Sequence, residues 1–222
     1  MFKGFSDSTV DFFWQIRLDN SREWFAENKP EFQRAVQEPV RELADGLYAW
    51  FAEKHPELNL NLHVSRIYRD ARRLYGRGPL NDHLWFSLQS DDWQEQTSSP
   101  CFYFELGADG YGYGMGFFCP RAEQTARYRR AIDERPDELL ELAKGLEKQD
   151  IFTLDGPEYA RAKGHADDAL AVWYNKKYWS LSCDRRYDGL SYSPELEQAL
   201  KDGFELLVPM YRYLVRIFRT AE

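Results

Sequence analysis

Residues 110–117, GYGYGMGF, carry glycine at every second position. Successive side chains of a strand point to opposite faces. Tyr111, Tyr113, Met115 and Phe117 therefore share one face, while Gly112, Gly114 and Gly116 leave the other as bare backbone. A bare face admits close approach by a neighbour, and close packing demands that something fill it. A helix or an aromatic ring is the expected cover. The run is no phosphate loop, because it lacks a following Gly-Lys-Ser/Thr and does not lead directly into a helix.

The glycines form the second arm of a predicted hairpin over 101–118, with GADG as its turn. Upstream, Leu58, Leu60, Leu62 and Val64 alternate with Asn59, Asn61, His63 and Ser65, which predicts a half-buried strand over 58–70. HLWFSLQ, IFTLDG and YWSLSCD read as further strands. Helices flank them. Ser8 and Asn20 are the expected N-caps of the first two, each with an acid three residues on. Phe32, Val36, Val40, Leu43 and Leu47 recur at helical spacing, with a kink or break expected at Pro39. A break is expected near Pro136, and the last helix starts behind Ser193 and bends at Pro209. Helices, then hairpin-linked strands, then mixed elements specify an α+β fold, an antiparallel sheet with N-terminal and C-terminal helices layered on it. No Pro- or Gly-rich linker interrupts the chain, so a single globular domain over 1–222 is expected.

The chain is 43% hydrophobic and 16% aromatic, enough for a substantial core. Its apolar runs are far short of the ~20 residues that cross a bilayer, and the start lacks a signal-peptide pattern. A cytoplasmic protein with no membrane partner is expected. Cys101, Cys119 and Cys183 form no C-x-x-C pair and read as packing residues. His55, His63, His83 and His165 lack metal-ligand spacing, so neither a metal nor a cofactor is expected. A net charge of −8 disfavours non-specific binding to nucleic acid or anionic lipid.

One segment runs against that charge. Between His63 and Pro79 stand Arg66, Arg69, Arg72, Arg73 and Arg77 against the single acid Asp70. The strand's phase turns Arg66 toward the core; a bulge would turn Arg69 there instead. A buried guanidinium needs a partner. It is either paired internally with a carboxylate such as Asp70 or Glu105, or it helps grip a bound phosphate or carboxylate. The candidate ligand-binding residues are Arg66, Arg69 and Arg72, with His83 at the rim, and the candidate partner is an anionic small molecule. Whether the domain is also an enzyme is open. Two other readings stand beside this one. Trp24, Phe25, Trp93 and Trp179 could form a protein-interaction patch, or Tyr68 and Tyr75 could stack on bases of a nucleic acid held by the arginines.

The residues resemble the bacterial family called domain of unknown function 2461. The likeness rests on MFKGFS, on NSREWFAENKPEF with Asn20, Arg22, Glu23, Trp24 and Phe25, and on SRIYRDAR, GYGMGFFCPRAE and the late SPEL…GFELLVPMYRYL. It implies a conserved hypothetical protein and carries over no activity or cofactor. Arg66, Arg69, Asp70, Arg72, Pro79 and His83 match the family's pattern around the arginine strand. Tyr75, Gly76 and Arg77 depart from it, standing where a Ser/Lys-rich run is expected.

Overall fold

A computed structural model describes residues 1–90, 99–164 and 168–219. Trp93, His165 and the side chain of Arg73 lie outside what is described. The chain is α+β. Helices α1 (Asp7–Leu18), α2 (Arg22–Phe32) and α3 (Glu38–Lys54) precede strands β1 (Leu60–Val64), β2 (His83–Ser90), β3 (Pro100–Gly107) and β4 (Gly110–Phe117). Helices α4 (Ala122–Glu134) and α5 (Pro136–Leu146), strand β5 (Thr153–Asp155), helix α6 (Asp168–Tyr174), strand β6 (Trp179–Arg185) and helix α7 (Glu195–Arg219) follow. The strands form one antiparallel sheet in the order β1-β2-β3-β4-β6-β5. No helix among the described residues is long and apolar enough to cross a membrane.

Two compact units emerge, each drawn from three separate stretches. The first takes Met1–Leu88, Tyr103–Tyr113 and Asp184–Lys201; the second takes Gln89–Phe102, Gly114–Cys183 and Asp202–Glu222. In the first, α1 buries Thr9, Phe12, Phe13 and Ile16, the stripe that a 3.6-residue period dictates. Phe104 of β3 stacks on Phe5 and on Phe86. In the second, Phe102 lies stacked on Tyr211 and edge-on to Phe204. Trp179 is fully buried, meets Phe117 edge-on and donates its Nε1–H to the Tyr128 hydroxyl at 3.1 Å.

The hairpin forms with Ala108 and Asp109 as its two-residue turn. Tyr111, Tyr113, Met115 and Phe117 are all buried. The cover of the glycine face differs from expectation: it is neither helix nor ring but the main chain of β6. A Cβ on Gly114 would run into the Leu181 carbonyl, and one on Gly116 would lie 2.7 Å from that of Trp179. Neighbouring backbone comes closer than any side chain could, and that is why glycine recurs here.

Pro39 begins α3 rather than cutting it. The turn before it, Gln33–Gln37, widens to a π-helix, and the Glu38 amide donates back to the Gln33 carbonyl. Pro39 has no amide to offer that turn. The buried Thr9 hydroxyl of α1 supplies a donor instead, to the Ala35 carbonyl at 2.7 Å. The N-caps also fall elsewhere than predicted. Ser6 begins α1, sharing a capping box with Thr9, and Ser21 caps α2 by accepting from the Trp24 amide. Helix α7 continues through Pro209. Of the cysteines, Cys101 is buried and its thiol is pushed up to about 12 by that burial, whereas Cys119 is exposed.

The strand expected over 58–70 is shorter. Pro56–Leu58 forms a 3₁₀ turn, and Asn59 adopts a left-handed conformation at φ 46°, so pairing starts at Leu60. Asn tolerates that conformation better than most residues. At the other end, the Trp85 amide donates to the Ser65 hydroxyl at 2.9 Å instead of to a main-chain carbonyl. This break turns the alternation over: Ile67 is buried, Arg66 is exposed, and Arg69 turns inward.

Candidate functional site

Beyond the break the chain re-pairs with residues 79–81. Tyr68 bridges Leu80, the Arg69 amide donates to the Pro79 carbonyl, and the Asn81 amide donates to the Ile67 carbonyl. Asp70 then caps a short 3₁₀ turn, Ala71–Arg73, by accepting from the Arg72 amide at 3.0 Å. These local bonds hold the arginines around an open cleft of about 720 Å³ within the first unit. Arg66, Arg69, Arg72 and Arg77 line it, together with Tyr68 and Trp85.

The four guanidiniums are not equivalent. Arg69 is the buried one, its side chain 14% exposed. Its Nε donates to the Leu80 carbonyl at 2.7 Å and its Nη2 to Asp82 Oδ1 at 3.2 Å. Arg69 is therefore the largely buried arginine, in the alternative phase and with Asp82 as its carboxylate. Arg72 projects into solvent and is neutralised by Asp70 through Nε and Nη2. Arg66 and Arg77 are exposed, and among the described residues neither side chain meets a carboxylate. Two cations thus line one cleft with no ion-pair partner among the described residues, in a chain of net charge −8.

His83 is not brought to this cleft. It lines a second, open cleft of about 570 Å³, also within the first unit. There its Nδ1 lies 3.2 Å from Asp82 Oδ1, the oxygen that Arg69 also reaches. Partial burial works to raise the Asp82 carboxyl. The hydrogen bond with His83, its own backbone amide and the nearby charges of His83 and Arg69 outweigh this and hold it below the ordinary value. Glu105, on the next strand, moves the opposite way while keeping solvent access. Partial burial raises it, Asp184 adds to the rise, and His83 opposes. Gly110 and Gly112 also line this cleft, although a Cβ on Gly110 would run into the Arg185 carbonyl of β6.

Sequence reasoning names Arg66, Arg69 and Arg72, which the structure brings to one cleft, and puts His83 at their rim, from which the structure separates it. It passed over Arg77 as a ligand residue, although Arg77 was counted in the basic run. It also passed over Trp85, which the alternation of HLWFSLQ puts opposite in phase to the buried Leu84 and Phe86. The aromatics named for an interaction patch are placed otherwise: Phe25 and Trp179 are buried and Trp24 is half-buried.

Residues 8–213 match the family described as Conserved hypothetical protein (DUF2461). The chain belongs to this family. Within DUF2461 the match takes in the arginine segment, both clefts and the glycine hairpin. A stretch of 83 residues is also 35% identical to the ABC transporter ATP-binding protein/permease PDR18 of Saccharomyces cerevisiae, covering 32% of this chain and 6% of that protein. The chain spans only that small part of the transporter's length, and the likeness assigns it no activity.

Proposed function

We propose that this DUF2461 chain binds an anionic small molecule, a phosphate or a carboxylate, in the arginine-lined cleft. The carrying observation is the pair of guanidiniums, Arg66 and Arg77, that line the cleft and meet no carboxylate among the described residues, while Asp70 on the same wall is engaged by Arg72. Planar guanidinium forks match the oxygens of such anions two at a time. Arg69 belongs to the floor of this site: its bonds to Leu80 and Asp82 fix the wall on which Arg66 stands. Arg72 contributes by exchanging Asp70 for the ligand. His83 shares Asp82 with Arg69 and positions that buried guanidinium without touching the ligand.

Thermal-shift and titration measurements with inorganic phosphate, pyrophosphate and small dicarboxylates test this reading. A ligand that binds only the folded state raises its Tm. Arg66→Met should lower affinity by one to two decades, from ~1.5–3 kcal/mol per charge-assisted hydrogen bond. Binding should weaken with salt, since the site is open. Arg69→Met should instead lower stability, because it takes one of two donors from the Leu80 carbonyl and leaves Asp82 Oδ1 with His83 alone. The absence of any shift with every anion tested would remove the proposal.

We also propose that residues 1–222 unfold as one domain. Each compact unit uses three separate stretches of chain, so neither could be excised as a continuous segment. A single calorimetric transition, with van't Hoff and calorimetric enthalpies equal, is the expected result.

A further inference from the structure

We propose that the anion held in the arginine-lined cleft is the phosphate of a free nucleoside monophosphate, whose base stacks on the cleft's aromatic rings. This inference rests on the anion reading above and narrows it. A cleft for phosphate alone has no use for aromatic walls, yet Tyr68 and Trp85 line this one beside Arg66 and Arg77. Both rings are held. The Trp85 ring lies 5.3 Å from that of His63, tilted by 45°. The Tyr68 ring is set edge-on by the buried Phe25, at 5.2 Å and 76°, while the residue stays 48% exposed. A ring fixed by its neighbour and still open to solvent is prepared for a flat partner. The cleft's 720 Å³ falls in the range of small-molecule sites and far exceeds a bare phosphate. Asn81 spends its Nδ2 on the Arg66 carbonyl at 2.9 Å and leaves its Oδ1 as an acceptor at the cleft.

The neighbouring turn carries another ring, Tyr75, just outside the cleft's lining. Tyr75 at φ 45° and Gly76 at φ 79° are left-handed in succession, and the Arg77 amide closes the turn on the Leu74 carbonyl at 2.8 Å. The first such position favours Gly, Asn or Asp, so tyrosine is strained there, and its side chain is 83% exposed. Among the described residues that ring has no ring or hydrogen-bond partner, which leaves it open to a ligand beside Arg77. The occupant is a single nucleotide rather than a nucleic acid. Two unpaired guanidiniums match one phosphate, and a net charge of −8 repels a polyanion.

Isothermal titration of the intact protein at fixed salt tests this, with AMP, GMP, CMP, UMP, ribose 5-phosphate and adenosine as probes. At least one monophosphate should bind tenfold to a hundredfold more tightly than ribose 5-phosphate, the range of one base–aromatic stack. Tyr68→Leu should abolish most of that ratio, and Tyr68→Phe should keep it. Circular dichroism and a cooperative thermal melt show whether both variants are folded. Equal affinity for ribose 5-phosphate and every nucleotide would overturn the inference and leave the anion reading standing. No binding by any phosphate would overturn the inference, and no binding by the small dicarboxylates either would overturn the anion reading with it. Adenosine binding as tightly as AMP, or a 5′-phosphorylated tetranucleotide binding more tightly than the mononucleotides, would also overturn the assignment to a free nucleotide.

Discussion

Asn20 holds both polar atoms of the Leu80 main chain. Its Oδ1 accepts from the Leu80 amide at 2.8 Å and its Nδ2 donates to the Leu80 carbonyl at 3.1 Å. The same carbonyl accepts from Arg69 Nε. One side chain from the α1–α2 junction thereby ties the helices to the wall of the arginine-lined cleft.

Asn20→Ala removes both bonds and leaves the amide of the fully buried Leu80 without its acceptor. The expected loss is about 1–3 kcal/mol, or roughly 2–12 °C in Tm for a chain of this size. Gly78→Ala should act through the same link, because its methyl would occupy the space of the Asn20 side chain. Thermal melts of both variants check this; an unchanged Tm for Asn20→Ala would show that the tie carries no stability.

Two glycines should respond to substitution in opposite directions. Gly114→Val drives a side chain into the β6 main chain, which cannot rotate away, so a loss of at least ~1–3 kcal/mol is expected. Gly145 lies in α5 with nothing within 4 Å of its added Cβ. Gly145→Ala should gain about 0.5–1 kcal/mol from helix propensity. Chemical denaturation with the slope held in common would measure both. A stable Gly114→Val would mean that the glycine face is open.

The second cleft predicts two pH dependences of opposite sign. Asp82 is depressed in the folded state, so its carboxylate stabilises the fold at neutral pH. That contribution is complete above the unfolded value of about 4 and is lost as pH falls through the lower folded value. Asp82→Asn should thus lower Tm at pH 7, and the gap to wild type should close in acid. Glu105 is raised, so its ionised form costs stability at neutral pH. Glu105→Gln should raise Tm at pH 7, and that gain should vanish below about pH 4. Melting curves of the three proteins from pH 3 to 8 test the signs. A Glu105→Gln variant less stable than wild type at pH 7 would contradict the raised carboxyl.

Local chemistry determines much of this molecule. The hairpin is legible because a two-residue turn and strict alternation are properties of neighbours in sequence, and so is the buried face of Tyr111, Tyr113 and Met115. The stripe of α1 follows from its 3.6-residue period, and a basic cluster needs only counting. Other features depend on partners far along the chain. Which of Ser21 and Asn20 caps α2 depends on Leu80, sixty residues away, which engages Asn20. Which arginine turns inward depends on Ser65 meeting Trp85, twenty residues on. The glycine face is closed by β6 main chain, and His83 is parted from the arginines by Asp82, which both contact. Each outcome is a choice between locally similar states, and the deciding energy is a hydrogen bond or a close packing contact that exists only after the chain has folded.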